Sequence, residues 1–304
     1  MKNYAFDPDF LPHLSQLPTV GDYSTAEKIQ AMRTMRMDTA PAPPPQRVDI
    51  LREDRVVPAQ SSQPAVPIRI YSPKATLKAA AGDPRPGILE IHGGGFMFGN
   101  LDMMDGWCDA IASAVDAVIV SVDYRLAPEH PFPAGVDDCY AALRWMADNV
   151  KALGVDPKRI AIAGHSMGGW VTANTAAQDH ALMGAILISA ADMGARGVKA
   201  NPVGLAAAMD DNREALAGVT GQDMAAQLIA YGASWDRLGP GLKDTRLLVL
   251  HTDDGLRPDA ERLIAAVKAA GGTQVQDLHV ATDHGWSDHR VALQALVINW
   301  LGGL

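Results

Sequence analysis

The chain has 304 residues, of which 48% are hydrophobic and 20% charged, so it can bury a full core as one large α/β domain with a small appendage. Its formal net charge of −9 disfavours nucleic acid or an anionic membrane as a partner. No window approaches the roughly 20 apolar residues of a membrane span, and the acidic start does not match a signal peptide, so we expect a cytoplasmic protein.

The first element predicted along the chain is a helix over Asp22–Asp38, where apolar residues recur at helical spacing. A cluster of prolines, Pro41–Pro45, follows directly. It separates an N-terminal arm, residues 1–46, from the main domain, residues 47–304.

The main domain alternates between strand-like and helix-like segments. Eight apolar, partly β-branched segments are predicted as strands: Val48–Val57, Val66–Tyr71, Gly87–Ile91, Ala117–Val122, Arg159–Ala163, Ala185–Ser189, Arg246–His251 and Val275–Val280. Five helices are predicted between or after them: Met103–Ala114, Val136–Leu153, Trp170–Gln178, Pro258–Ala270 and Asp288–Trp300. The first two strands suit an antiparallel pair at a sheet edge. The alternation predicts an α/β fold with a mostly parallel, twisted eight-stranded sheet and helices on both faces.

One interval, Asp192–Lys243, breaks this alternation. It contains short helical pieces, Pro202–Met209, Asn212–Leu216 and Gln222–Tyr231, without a convincing strand. Because it is longer than an ordinary crossover loop of about 2–6 residues, we interpret it as an insertion that can lie over a functional site.

A serine lies at an abrupt turn after the predicted strand Arg159–Ala163. The pattern is G-x-S-x-G at Gly164–Gly168, and a helix follows it. In a nucleophile elbow the serine takes a strained backbone conformation, and the two flanking glycines let strand and helix pass without a Cβ clash. The pentapeptide alone is a weak signal, but its place between strand and helix makes Ser166 the candidate nucleophile.

A run of three glycines follows the strand Gly87–Ile91, in the sequence His92-Gly93-Gly94-Gly95. Glycines leave backbone N–H groups unobstructed, and in lipases and esterases such groups build an oxyanion hole with the amide after the nucleophile. The donors here would be Gly94, Gly95 and Met167. The alternative interpretation of the glycines is a flexible turn.

A serine hydroxyl needs a base and an orienting acid, and both are available at later strand ends. Asp253 and Asp254 follow the strand Arg246–His251, and His284 follows Val275–Val280. Catalytic groups of α/β sheets gather at the carboxyl ends of strands. The chain order serine, acid, histidine is that of the α/β-hydrolase triad.

Two rivals to this interpretation come from the same region. His289, inside the following predicted helix, is a weaker candidate for the base. A metal site is conceivable from four neighbouring side chains, Asp283, His284, Asp288 and His289, although our expectation is that no metal is bound. The two cysteines, Cys108 and Cys139, are predicted to be reduced packing residues.

Three motifs resemble those of the bacterial hormone-sensitive-lipase-like carboxylesterases: HGGGF at His92–Phe96, DYRLAPEHPFPA at Asp123–Ala134, and G-x-S-x-G at Gly164–Gly168. The similarity runs from about Val48 to the C-terminus. It implies an α/β-hydrolase fold, hydrolysis of carboxylic esters without metal or cofactor, and a small helical cap made of the N-terminal arm, residues 1–46, plus an insertion.

Within this resemblance Ser166 matches the nucleophile, Asp254 the acid and His284 the base. His92, at the start of the glycine run, matches a residue that fixes the conformation of that loop. A homodimer is implied by family analogy alone.

The chain departs from the family pattern in three places. His165 and Met167 flank the serine, where members usually carry Asp or Thr before it and Ala after it. Met167 can still donate its backbone N–H. After the acid, Pro258-Asp259-Ala260 replaces the usual Asp-Glu, which leaves Asp253 as an alternative to Asp254.

The function that we expect is hydrolysis of short-chain or aromatic carboxylic esters through a Ser-His-Asp triad and an acyl-enzyme. Bulky residues near the motifs favour a short acyl chain or an aromatic group: Phe96, Phe98, Met167, Trp170 and Trp286, each of which could equally be core. An amidase such as an arylformamidase, or an acyl-sugar esterase, would use the same triad. A third reading is a ligand-binding protein on an inactive hydrolase scaffold.

Overall fold

The computed structural model describes residues 25–39, 45–60, 63–74, 83–130, 133–198, 201–210, 220–231 and 235–303. These residues contain the strands β1 (Ile50–Val57), β2 (Val66–Pro73), β3 (Arg85–Ile91), β4 (Val118–Val122), β5 (Val155–His165), β6 (Gly184–Ile188), β7 (Arg246–His251) and β8 (Val275–His279). Their α-helices are α1 (Ala26–Thr39), α2 (Leu101–Val115), α3 (Ala134–Asp148), α4 (Val150–Leu153), α5 (Met167–Ala176), α6 (Met193–Val198), α7 (Pro202–Asp210), α8 (Gly221–Tyr231), α9 (Gly239–Leu242), α10 (Arg257–Ala269) and α11 (Arg290–Leu301).

The eight strands form one sheet in the order β1-β2-β4-β3-β5-β6-β7-β8. The pairs β1–β2 and β2–β4 are antiparallel, and every later pair is parallel. This confirms the predicted mostly parallel sheet with an antiparallel pair at one edge. Parallel pairing brings the carboxyl ends of β3, β5, β6, β7 and β8 to the same edge.

Each face of the sheet carries its own apolar core. Side chains of α3, α5 and α10 pack on one face, with Leu89 and Ile162 of the sheet. Side chains of α2 and α11 pack on the other, with Ile88 and Ala163. Successive residues of a strand alternate between the two faces, which explains why interior strands such as β4 and β6 are buried along their whole length. The predicted cover of helices on both faces is therefore confirmed.

The two cysteines lie on opposite faces of the sheet. Cys108 of α2 and Cys139 of α3 are both buried and unbridged, as expected for packing residues. Burial raises the pKa of both thiols, so both stay protonated.

Helix α2 shows how local sequence fixes an element next to the sheet. It begins where the Asn100 side chain accepts a hydrogen bond of 3.0 Å from the Met103 amide. It ends at Asp116, whose backbone is left-handed at φ 54°. The carboxylate of Asp116 then accepts a 3.0 Å hydrogen bond from Arg85, which links the end of the helix to the start of β3.

Helix α1 covers most of the helix predicted over Asp22–Asp38; residues 22–24 of that prediction lie outside the described residues. Ile29 is fully buried against Met97 and Phe98, on the side of the helix that the apolar spacing indicates. The arm therefore contacts the loop that follows β3.

The insertion at 192–243 contains only helical elements within the residues described there: α6, α7, α8, a short 3-10 turn and α9. The predicted piece Asn212–Leu216 lies outside the described residues. Asp192 accepts hydrogen bonds of 2.9 Å from the Ala195 amide and 3.0 Å from the Trp235 amide. One buried carboxylate thus ties the two ends of the insertion together, and burial raises its pKa.

Two helix predictions differ from the structure by more than a shift of one or two residues at an end. The segment predicted as one helix, Val136–Leu153, is divided into α3 and α4 at Asn149. Helix α5 begins directly after Ser166, three residues earlier than predicted. None of the helices within the described ranges combines the length and apolar character that crossing a bilayer requires.

Candidate active site

Four loops that follow strands meet at the carboxyl edge of the sheet. They come after β3, β5, β7 and β8, and each carries one of the motifs predicted to have a chemical role. The sequence predicts this placement, because parallel strands bring their carboxyl ends to one edge.

Ser166 occupies a tight turn between β5 and α5. Its backbone lies at φ 52° and ψ −115°, a conformation that L-residues rarely adopt. A Cβ at Gly164 would come within 2.2 Å of the carbonyl oxygen of Gly168, and a Cβ at Gly168 within 2.4 Å of that of Ile91. The Ser166 amide donates to the Ile188 carbonyl at 2.8 Å. The glycines therefore permit a close passage of strand, turn and helix that holds the serine in a strained conformation.

His284 lies between Ser166 and Asp254. Its Nε2 is 2.9 Å from the Ser166 Oγ, and its Nδ1 is 2.7 Å from an Asp254 carboxylate oxygen. Because the carboxylate accepts the Nδ1–H, Nε2 is left as the acceptor for the serine hydroxyl. The second Asp254 oxygen accepts from the Leu256 amide at 2.9 Å, which fixes the carboxylate. The three side chains form one hydrogen-bonded series.

The neighbouring carboxylate, Asp253, has a different partner. Its Oδ1 lies 2.8 Å from the Nε2 of His279, and its side chain is 63% exposed, whereas that of Asp254 is 6% exposed. The amide of Asp253 donates to the Thr282 carbonyl at 3.1 Å, which joins the loop after β7 to the loop that carries His284. Of the two acids that the sequence left open, the structure brings Asp254 to His284.

The glycine run after β3 forms a turn beside the serine. Gly94 and Gly95 both have positive φ, at 122° and 64°. A Cβ at Gly94 would come within 2.1 Å of the Phe98 carbonyl oxygen, so only glycine fits there. Within the described part of the chain, the amides of Gly94, Gly95 and Met167 have no hydrogen-bond acceptor. They are three backbone donors available to a ligand oxygen.

His92 is buried at the base of this turn. Its Nδ1–H donates to the Gly93 carbonyl at 2.7 Å, and its ring stacks on Tyr124 at 4.2 Å between centroids. The Tyr124 hydroxyl donates to the His92 carbonyl at 2.9 Å. A Cβ at Gly99 would come within 2.1 Å of the imidazole, so the chain closes tightly around the ring. Burial lowers the pKa of His92 to about 4, and the ring is neutral at pH 7.

Sequence reasoning missed the partner of His165, the residue before the serine. The Nε2 of His165 is 3.3 Å from an oxygen of Glu90, a buried carboxylate on β3, and the imidazole meets the Trp107 ring edge-on at 5.0 Å. Charged residues seldom lie within a core strand. That rarity is the only signal by which Glu90 could have been singled out.

The aromatic residues that were expected to line a pocket differ in how far they are buried. Trp286 is 1% exposed and Trp170 is 5% exposed, and both belong to the core clusters; Trp286 donates from its indole nitrogen to Ser189 at 3.0 Å. Phe98 packs beneath helix α1. These three rings are therefore buried within core clusters, and a role in lining a pocket stays a prediction. Phe96 is only partly buried, with φ 59°, and its ring meets Tyr124 edge-on.

The rival groups near the C-terminus have partners of their own. His289 precedes α11 and its Nδ1 lies 2.8 Å from Asp288, while Asp283 accepts from the Ser287 amide at 2.8 Å. Within the described residues, no group of three or more His, Cys, Asp and Glu side chains is arranged to hold a metal ion. Among the described side chains of this region, it is His284, and not His289, that contacts Ser166.

A family model described as alpha/beta hydrolase fold matches residues 88–288. The match begins in β3, just before the glycine run, and ends beyond His284. It therefore includes every loop that contributes to the candidate site.

Two curated proteins of Mycobacterium tuberculosis are similar to part of this chain. Esterase LipI is 43% identical over 171 residues, which are 56% of this chain and 50% of LipI. Carboxylesterase NlhH is 40% identical over 151 residues, which are 50% of this chain and 45% of NlhH. The chain thus matches about half the length of these relatives.

Among solved structures, an esterase from Pyrobaculum calidifontis is similar over nearly the whole length. It is 27% identical with a TM-score of 0.66, and the match covers 98% of this chain and 99% of that one. The similarity extends beyond the segment matched by the family model.

Replacing Gly164 by Ala should destabilise the protein, because the added methyl group would contact the Gly168 backbone. We expect the free energy of unfolding to fall by about 1–3 kcal/mol or more. Gly204→Ala in α7 is the matched control, since no atom lies within 4 Å of a Cβ there and alanine favours a helix. Urea unfolding of both variants tests this; equal stability of the two would contradict the close passage.

The buried His92 should make stability depend on pH. The unfolded chain takes up a proton near pH 6.5 that the folded chain, with a His92 pKa of about 4, does not accept. The contribution of the neutral His92 ring to the free energy of unfolding is therefore fully present above pH 6.5 and is lost as the pH falls towards 4. Between pH 7 and pH 5, the wild type should lose about 2 kcal/mol more than His92→Asn in urea unfolding. An equal loss of unfolding free energy in the wild type and in His92→Asn would contradict a neutral buried ring.

Proposed function

The chain belongs to the alpha/beta hydrolase fold family, and from that premise we propose that it is a carboxylesterase that works through an acyl-enzyme. The resemblance to the hormone-sensitive-lipase-like carboxylesterases that the sequence indicates is confirmed by the similarity to LipI and NlhH. The names of these relatives, an esterase and a carboxylesterase, support the same chemistry for this chain.

Ser166 is the proposed nucleophile. Its hydroxyl attacks the ester carbonyl while His284 accepts the proton, and Asp254 holds the imidazole in the required tautomer and stabilises the imidazolium that forms. His284 then gives the proton to the leaving alcohol. Water repeats the attack on the acyl-enzyme and releases the carboxylic acid and the free serine.

The amides of Gly94, Gly95 and Met167 are the proposed oxyanion donors. Gly94 and Gly95 lie in the turn after β3 and Met167 is the first residue of α5, and none of the three amides has a hydrogen-bond acceptor among the described residues. Preorganised donors of this kind stabilise the negative charge of the tetrahedral intermediate without reorganisation. His92 orders the turn that carries two of them.

The hydrogen-bonded series from Ser166 through His284 to Asp254 is the observation that carries this proposal. Covalent labelling by a fluorophosphonate tests it directly, since only an activated serine reacts readily with this reagent. We expect one label per chain on Ser166. Absence of labelling would favour a ligand-binding protein on a hydrolase scaffold.

The contrast between the two neighbouring aspartates gives a sharper test of the acid. Asp254→Asn should lower kcat on p-nitrophenyl acetate by about 10⁴, because the amide favours the wrong imidazole tautomer. Asp253→Asn removes an equal charge one residue away and should leave most of the activity. Ser166→Ala should lower kcat by about six orders of magnitude. A larger loss from Asp253→Asn than from Asp254→Asn would reverse the assignment.

The N-terminal arm, residues 1–46, and the insertion, residues 192–243, are proposed to form a small helical cap over this catalytic domain. The contact of α1 with the loop after β3 and the closure of the insertion by Asp192 support it. Such a cap would enclose a small ester.

The acyl group is proposed to be short, because Met167 directly follows the serine, Phe96 directly follows the glycine run, and both side chains are only partly buried. Rates on p-nitrophenyl acetate and butyrate should exceed those on the laurate and palmitate esters. Met167→Ala should raise the rate on the longer esters, since it removes bulk at the first turn of α5.

A maximum at palmitate in the wild type would contradict a short pocket. Faster cleavage of an anilide or formanilide than of the matching ester would favour an amidase.

A further inference from the structure

Helix α1 presents one face to two loops next to the candidate site. Ile29 is fully buried in a cluster with Met97 and Phe98, and the Arg36 guanidinium lies 4.2 Å from the centre of the Phe98 ring. Ile29 and Arg36 are two helical turns apart in α1, a spacing that places both side chains on one side of the helix. The helix is therefore fastened to the turn that carries the glycine run.

Arg33, on the same face, makes the polar part of this contact. Its Nε donates to the Met97 carbonyl at 2.7 Å, one Nη donates to the Ala127 carbonyl, and the other lies 2.7 Å from Glu129. Gln30, one helical turn earlier, donates to the same carboxylate at 3.1 Å. A planar guanidinium satisfies several acceptors in fixed directions, which a lysine cannot do.

The two carbonyls that Arg33 holds belong to the loops after β3 and β4, which are also joined to each other. The Ala127 amide donates to the Phe96 carbonyl at 2.8 Å. Within the first loop, the Gly94 carbonyl accepts from the amides of Met97 and Phe98 at 3.1 and 3.0 Å. Gly94 and the carbonyl that Arg33 binds are therefore parts of one hydrogen-bonded turn.

Glycine residues do not hold such a turn rigid by themselves. Gly94 and Gly95 have positive φ and wide conformational freedom, and their amides have no hydrogen-bond acceptor among the described residues. The direction in which these amides point is thus set by the groups that anchor the rest of the turn. Arg33 supplies an anchor from outside the sheet domain.

We propose that Arg33 is a positioning residue for the oxyanion hole, and that the N-terminal helix acts on the reaction through it. The inference rests on the proposed esterase function. Arg33 acts through the Met97 and Ala127 carbonyls, which keep the amides of Gly94 and Gly95 aimed at the oxyanion. Preorganised donors contribute to the transition state more than to substrate binding. Arg33 should therefore affect kcat and have little effect on KM.

The test compares two full-length variants of α1 that each replace a cation by glutamine. Arg33→Gln should lower kcat on p-nitrophenyl acetate by about 10-fold to 100-fold, less than the 10²–10³ lost when an oxyanion donor is deleted. KM should stay near that of the wild type. Affinity for phenylboronic acid, which mimics the tetrahedral intermediate on the serine, should fall by the same factor as kcat. Lys28→Gln, at an exposed position of the same helix, should match the wild type in all three measurements.

Two more variants separate positioning from folding. Arg33→Lys keeps the charge and reaches one carbonyl, so its kcat should lie between those of Arg33→Gln and the wild type. Glu129→Gln leaves both carbonyl contacts in place and should lower kcat less than Arg33→Gln does. Thermal unfolding of each variant identifies any general loss of structure.

The outcomes are distinct. If the wild type hydrolyses the ester and Arg33→Gln has the same kcat, the inference is wrong while the proposed function stands. If kcat falls only in parallel with thermal stability and boronate affinity is unchanged, Arg33 is structural and the inference is again wrong. If the wild type does not hydrolyse the ester and Ser166 takes no fluorophosphonate, the proposed function fails and the inference fails with it.

Discussion

The close crossing of β5 and α5 at Ser166 is the constraint on which the site depends. No side chain fits at Gly164 or Gly168, and the serine between them has a backbone conformation that a free chain would seldom adopt. The packed sheet overcomes this strain, because β5 lies in its middle with apolar layers on both faces. The hydroxyl is therefore held at a fixed point, and the other loops are placed relative to it.

Most of the architecture could be predicted from the sequence because it depends on patterns that are local. Apolar strand runs, the switch to helical spacing and the glycines at 164 and 168 each have one structural explanation, and all eight strands were predicted. The meeting of Ser166 with His284 followed from topology, since both come after parallel strands. The pairing of Asp254 with His284 depends on the direction in which two adjacent side chains point after β7, and sequence spacing does not determine that direction.

The directions of several side chains, and contacts between residues far apart in the chain, also could not be predicted from the sequence. Phe98, Trp170 and Trp286 stand next to the motifs, yet adjacency in sequence does not tell whether a ring points into the core or into a pocket. Arg33 belongs to no motif, and its contacts join residues far apart along the chain. Glu90 and His165 pair across neighbouring strands, so neither residue signals the other. Contacts of this kind are set by tertiary packing and are visible only in three dimensions.

The segments that meet at the carboxyl edge lie far apart in the chain, and the loop with His284 leaves the ribosome last among them. Under the proposed mechanism, a polypeptide still in synthesis carries its serine, its glycine turn and its acid but has no group to take the proton. On that mechanism such a nascent chain would have almost no activity towards esters. Activity requires the edge strand β8 to join the sheet, so completion of the fold would itself serve as the activation step.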